Sequence, residues 1–337
     1  MFLSIFLLAL STVGSGQWVK QTVDTTASFR GLSVVNEKVV WASGTGGTVI
    51  RTTDGGKTWK VMTVPGAEKL DFRDIEAFDA KTAYILSIGN GEASRIYKTT
   101  DGGLNWKLQF KANDPKLFFD ALACKNSLKC FAMADPVNNS FPLIVTADGG
   151  EHWQFWPVWF PQTAEGEASF AASGTCLILY RSGKSDVIAI VSGGTSSSIY
   201  QMPVDSPSLD FVSYDTPIIR GTPGSGIFSI AMRDSRNGVI VGGNYEKPNE
   251  ATENLAFTND GGVTWTLGTG LSGYRSAVAY IDKKNIIAVG TNGTDLSTDV
   301  GKTWSKIGSE NLNAVAAKGK KAVWAVGPAG MVTKLKL

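Results

Sequence analysis

Five copies of one pattern, Ser/Thr-x-Asp-x-Gly-x-x-Trp, recur along the chain: Thr52 to Trp59, Thr99 to Trp106, Thr146 to Trp153, Thr258 to Trp265 and Ser297 to Trp304. Their tryptophans fall at intervals of roughly 40–50 residues, the period of propeller and solenoid architectures. Only Trp153 and Trp265 stand further apart, leaving room for one extra unit that has lost the pattern.

Each copy lies between a short apolar strand and a Trp-led strand, as in Thr48-Val-Ile-Arg51 before and Trp59-Lys-Val-Met62 after, which is the grammar of a hairpin. The Ser/Thr hydroxyl and the Asp carboxylate are suited to bonding turn backbone. The glycines permit positive φ, and the Trp anchors the turn on the core. Asp54, Asp101, Asp148, Asp260 and Asp299 are therefore expected to be turn residues. Val300 follows Asp299 where the other copies have Gly, so that turn is expected to be the least regular.

A second marker counts the units. Short strands ending in Gly or a small turn recur at 40–44, 84–89, 131–135, 188–193, 239–242, 286–290 and 323–327, each with another strand upstream. Seven units of about four short strands describe an all-β, seven-bladed propeller of four-stranded antiparallel blades. The last unit stops before any Asp box, and an orphan strand at 17–22 precedes the first. Pairing the two would close the ring and remove two exposed edges.

Residues 1–16 carry no charged side chain and join the apolar run Met1 to Leu10 to small residues. They read as a secretory signal, leaving 17–337 as one propeller domain, a monomer outside the cytoplasm. No later stretch is long and apolar enough to cross a membrane. Cys124 and Cys130 flank a predicted turn and are placed to pair in an oxidising compartment, whereas Cys176 reads as a small buried hydrophobe. Lys plus Arg (32) nearly balances Asp plus Glu (30), which leaves no electrostatic footprint for nucleic acid.

The segments 29–32, 40–44, 48–59 and 323–327 together resemble the photosystem II stability/assembly factor-like propellers, within the Asp-box (bacterial neuraminidase repeat) superfamily. The resemblance spans 17–337 and implies the propeller fold. Function does not follow from it directly, because Asp boxes also occur in sialidases, glucan hydrolases and sorting receptors.

The only histidine, His152, sits inside an Asp box, which excludes Ser-His-Asp, Cys-His and multi-His metal chemistry. No phosphate loop and no calcium loop is present, and Gly221 to Gly226 reads as a loop between blades, so no cofactor or metal is called for. What remains is charge at the starts of inner strands. Phe29-Arg30, Phe72-Arg73 and Tyr274-Arg275 are expected to align in units one, two and six, with Asp120, Asp135 and Glu167 opposite. The three arginines form either an anion- or carboxylate-binding rim or ion pairs that hold adjacent blades. The sialidase Arg-Ile-Pro signature is absent, since Arg30 is followed by Gly31 and Leu32. Two functions follow: a non-catalytic propeller binding a protein or macromolecular partner, with Arg30, Arg73, Arg275, Asp120, Asp135 and Glu167 as the site, or a glycan hydrolase using carboxylates at the channel mouth.

Overall fold

A computed structural model describes residues 16–337. The segment 1–15, which carries nearly all of the signal-like stretch, lies outside the described residues. The chain forms a seven-bladed β-propeller. Blades 1 to 3 each run inner strand to outer strand: Phe29–Val34, Val40–Gly44, Thr48–Thr52 and Lys60–Thr63; Phe72–Ala77, Ala83–Ser87, Arg95–Thr99 and Lys107–Lys111; Phe119–Cys124, Cys130–Ala134, Leu143–Thr146 and Gln154–Phe155. Blade 4, the one without an Asp box, has Leu177–Ser182, Ser185–Val191, Ser198–Pro203 and Val212–Asp215. Blade 5 has Ser225–Met232, Gly238–Asn244, Leu255–Thr258 and Thr266–Leu267, and blade 6 Ala277–Tyr280, Ile286–Gly290, Gly293–Ser297 and Ser305–Gly308. Blade 7 takes Ala314–Ala317, Val323–Val326 and Val332–Lys336 from the end of the chain and Gln17–Lys20 from its beginning. Trp18 lies opposite Leu335 in that closing pair, and its indole donates to Thr294 Oγ1 of blade 6 at 2.9 Å.

The Asp boxes behave as turn residues and also lock neighbouring blades. Asp54 accepts from Thr58 N–H (2.9 Å) and from the hydroxyls of Thr58 (2.6 Å) and Thr52 (2.8 Å), while Thr52 Oγ1 takes the N–H of Gly56 at 2.9 Å. These bonds favour the ionised form and hold Asp54, Asp101 and Asp260 at about 2. Trp59 then packs edge-on against Trp324 of blade 7 (5.5 Å), Trp106 against Trp41 of blade 1 (6.5 Å) and Trp153 against Tyr84 of blade 2 (6.4 Å). Gly56, at φ 91°, has the Trp324 ring against its Cα, so a side chain there is excluded by conformation and by space alike.

The fifth box departs from the expected irregularity. Asp299 makes the same bonds as the others, to Ser297 Oγ (2.9 Å), Thr303 N (2.9 Å) and Thr303 Oγ1 (2.6 Å). The turn is kept regular because Val300 itself adopts φ 67°. Cys124 and Cys130 face each other across the first hairpin of blade 3 and form a disulfide, and Cys176 is buried as a free thiol.

One feature is absent from the repeat grammar. Before blade 4, Glu167–Ala168 pairs with Gly193–Gly194, which continues onto blade 5. Residues 169–175 then pass through the middle of the ring. Ser169 N–H donates to Asp135 of blade 3 (2.9 Å), Ser173 Oγ to the Ser276 carbonyl of blade 6 (3.0 Å), and the Thr175 hydroxyl meets Ser229 of blade 5 at 2.6 Å. Gly174 lies directly against the Asp74 carboxyl of blade 2, leaving no volume for a side chain. The propeller channel is thus divided by its own chain.

Candidate functional site at the channel mouth

The inner strands of blades 1, 2, 3 and 5 each carry a β-bulge near their start. The bulged residues are Arg30, Arg73, Asp120 and Phe228, lying in the register shifts between Phe29 and Gly31, Phe72 and Asp74, Phe119 and Ala121, and Ile227 and Ser229. A bulge leaves one residue out of the ladder and re-aims its side chain. All four line a single basin of about 390 Å³ over the plug, together with Asp135, Phe170, Tyr245 and Tyr274.

Arg30 and Arg73 grip the plug from adjacent blades. Arg30 Nη1 donates to the Ala172 carbonyl at 3.1 Å, and Arg73 Nη1 to the Ala171 carbonyl at 3.3 Å. Arg73 is also paired through Nε with Asp71 at 2.8 Å. Among the described residues Arg30 has no carboxylate partner. Burial, and then the neighbouring Arg73 charge, lower its pKa from the ordinary arginine value. Two planar donor groups thus line the basin, Arg30 held by a neutral carbonyl alone and Arg73 by a carbonyl and Asp71.

Asp120 and Asp135 form a carboxyl pair beside them. Asp120 is buried, its pKa held well above the ordinary carboxylate range by desolvation and by the Asp135 charge. Asp135 rises to about 6 by burial, opposed by the Ser169 N–H and by a hydrogen bond from Asp120. The second Asp120 oxygen has no partner among the described residues.

Two sequence-predicted residues are placed elsewhere. Arg275 is fully buried away from the mouth: its Nε meets Asp295 Oδ2 at 2.9 Å, and its Nη groups reach Tyr274 O, Asn292 Oδ1 and Ser272 Oγ at 2.6 Å each. The cause is register. Arg275 N–H donates to the Gly242 carbonyl as Phe29 N–H donates to that of Gly327, so Arg275 occupies the slot of Phe29, and Ser276 that of Arg30. A shift of one residue moves a strand side chain to the opposite face. Glu167 is likewise buried, accepting from Tyr200 OH (2.8 Å), Ala164 N (2.9 Å) and Ser192 Oγ. The sequence reasoning did not find Phe170, Phe228, Tyr245, Ser276 or Asn313. Aligning units on the glycine that ends each second strand, rather than on aromatic-Arg pairs, would have placed Ser276 under Arg30.

The model of the family described as Photosynthesis system II assembly factor YCF48 matches residues 10–206, more than half of the chain. The chain belongs to this family. No curated protein matches it. Similar solved structures include YCF48 bound to D1 peptide, with 18% identity, a TM-score of 0.66, and coverage of 96% of this chain and 95% of that one. YCF48 from Cyanidioschyzon merolae has 18% identity and a TM-score of 0.65, covering 94% and 98%. U3-55K has 11% identity and a TM-score of 0.63, covering 95% and 98%. At these identities the structures establish the shared fold.

Proposed function

We propose that this chain works outside the cytoplasm as an assembly or stability factor. It would hold a carboxylate-bearing segment of a protein partner in the basin at the channel mouth. The observation that carries this is Arg30: a half-buried guanidinium with no carboxylate partner among the described residues, fixed beside a second guanidinium by backbone carbonyls. Paired arginines present planar donors that match a carboxylate bidentately. A basin of about 390 Å³ admits a short segment and not a folded domain. The peptide bound by one YCF48 of the same fold supports the same class of partner here. Cleavage of residues 1–16 as an export signal agrees with the Cys124–Cys130 disulfide, which persists in oxidising compartments.

Glycoside hydrolysis fits the geometry less well. It needs two carboxyl groups roughly 5–10 Å apart across a sugar. Asp120 and Asp135 are hydrogen-bonded to each other, and Glu167 is enclosed by its own partners.

The test is capture of partner proteins from the native envelope fraction by the mature chain and by Arg30→Ala/Arg73→Ala. Loss of charge-assisted bonds at about 1.5–3 kcal/mol each, two in the double variant, should reduce capture by roughly a hundredfold or more. Undiminished capture by a folded double variant would refute the assignment of the mouth.

A further inference from the structure

The basin has a second wall that charge does not explain. Phe228, brought to the mouth by the blade 5 bulge, stacks on Phe170 of the plug with ring centroids 3.9 Å apart and planes within 3°. Tyr274 meets Phe228 edge-on at 4.7 Å and Tyr245 does so at 6.2 Å. Phe228 and Tyr274 are buried, but Phe170 is only half-buried, and Tyr245 is 48% exposed although its ring is built into this cluster. The Tyr245 hydroxyl makes no hydrogen bond among the described residues. Exposed Pro223, in the loop between blades 4 and 5, completes the lip. Apolar surface of this shape beside unengaged donors is the usual composition of a site that orients a mixed ligand.

The chain's own plug shows what the two walls accept together. In residues 170–172 one aromatic ring lies on Phe228 while the carbonyls of the next two residues lie on Arg73 and Arg30. The distance from aromatic wall to guanidinium pair is thus one that one or two residues of peptide can span.

We propose that Phe170, Phe228 and Tyr245 form a side-chain subsite selecting peptides that carry an aromatic residue within two positions of the carboxylate held by Arg30 and Arg73. This rests on the peptide-binding function proposed above and adds a sequence preference to it. An incoming ring gains face or edge contact with the half-exposed rings, which a methyl side chain does not. Tyr245 supplies the exposed part of the wall and governs the preference, whereas the stacked pair beneath sets its position.

The experiment is fluorescence anisotropy on the mature chain with three dye-labelled peptides. These are Gly-Ser-Gly-Phe-Ala-Ala with a free C-terminal carboxylate, the same peptide with Ala in place of Phe, and the Phe peptide amidated at its C-terminus. The Phe peptide should bind about tenfold more tightly than the Ala peptide. Tyr245→Ala should cut that ratio to roughly threefold or less, and Tyr245→Phe should preserve it. Equal binding of Phe and Ala peptides, with amidation still harmful, would overturn the subsite and leave the carboxylate site standing. A Phe preference untouched by Tyr245→Ala would also overturn it. Indifference to amidation, or no binding by any peptide, would overturn the underlying function and this inference with it.

Discussion

Val300 holds a left-handed backbone that β-branched residues seldom adopt, at φ 67°, so that the Asp299 turn can keep the bonds of the other four boxes. Such strain costs on the order of 1–2 kcal/mol. Val300→Gly should therefore raise stability by about 1 kcal/mol, after the added backbone entropy of Gly is offset; chemical denaturation measures it directly. Arg275 is the opposite case, a buried cation whose partners are all internal. Arg275→Ala would leave Asp295 charged and unpaired, at a cost of about 3–5 kcal/mol, visible as a large fall in melting temperature. Arg30→Ala should leave melting nearly unchanged, since it removes one carbonyl contact at a half-exposed position. This contrast was not legible in sequence, because aromatic-Arg dipeptides look alike whether the arginine falls on the bulge or one residue before it.

At the level of strands, the bulges and the closing pair carry the architecture. The turn chemistry of each Asp box and the pairing of 17–20 with 332–336 could be read from spacing, because hairpin turns and unmatched edges have local signatures. The plug at 169–175 could not, since its conformation is fixed by contacts with several different blades and by no local pattern. Removing residues 17–20 should expose the edge of Val332–Lys336 and convert a monodisperse protein into an aggregating one, as light scattering would record. The Asp120–Asp135 pair makes a pH prediction. Both carboxyls bind a proton more tightly folded than unfolded, Asp135 with a pKa of about 6 and Asp120 held well above the ordinary carboxylate range by burial and by the Asp135 charge. Their contribution is therefore fully present below about pH 4 and is lost as pH rises through 6 and beyond. Asp74, raised to about 7 by burial, acts in the same direction. Unfolding free energy should fall between pH 5 and 8, measured in urea. Asp120→Asn, whose amide can donate permanently to Asp135, should flatten that slope and leave Asp74 and Glu76, the latter raised to about 8 by burial, to account for what remains. An unchanged slope would place the pair's proton elsewhere.

Over the whole molecule, a ring of seven similar blades has been given one dissimilar quadrant. Blade 4 lacks an Asp box, its preceding segment crosses the channel, and the channel becomes a shallow basin floored by peptide backbone. Arg30, Arg73, Asp120 and Asp135 meet there, whereas the unit alignment placed the carboxylates opposite the arginines; blade 3 lies next to blade 2, which brings Asp120 beside Arg73. The aromatic wall was hidden, because Phe228 and Tyr245 lie far in sequence from Phe170 and come together only when the plug is in place. The central claim is that this basin, and not the rim of Asp boxes, is the binding face. It is tested most directly by photocrosslinking. Benzoylphenylalanine would replace half-buried Phe118 on the basin in one protein and Leu104, 65% exposed on the Asp-box rim, in another. Each would be irradiated with the native envelope fraction. The account predicts a discrete crosslinked partner from position 118, abolished by Arg30→Ala/Arg73→Ala, and none from position 104; a partner crosslinked from 104 and not from 118 would contradict it.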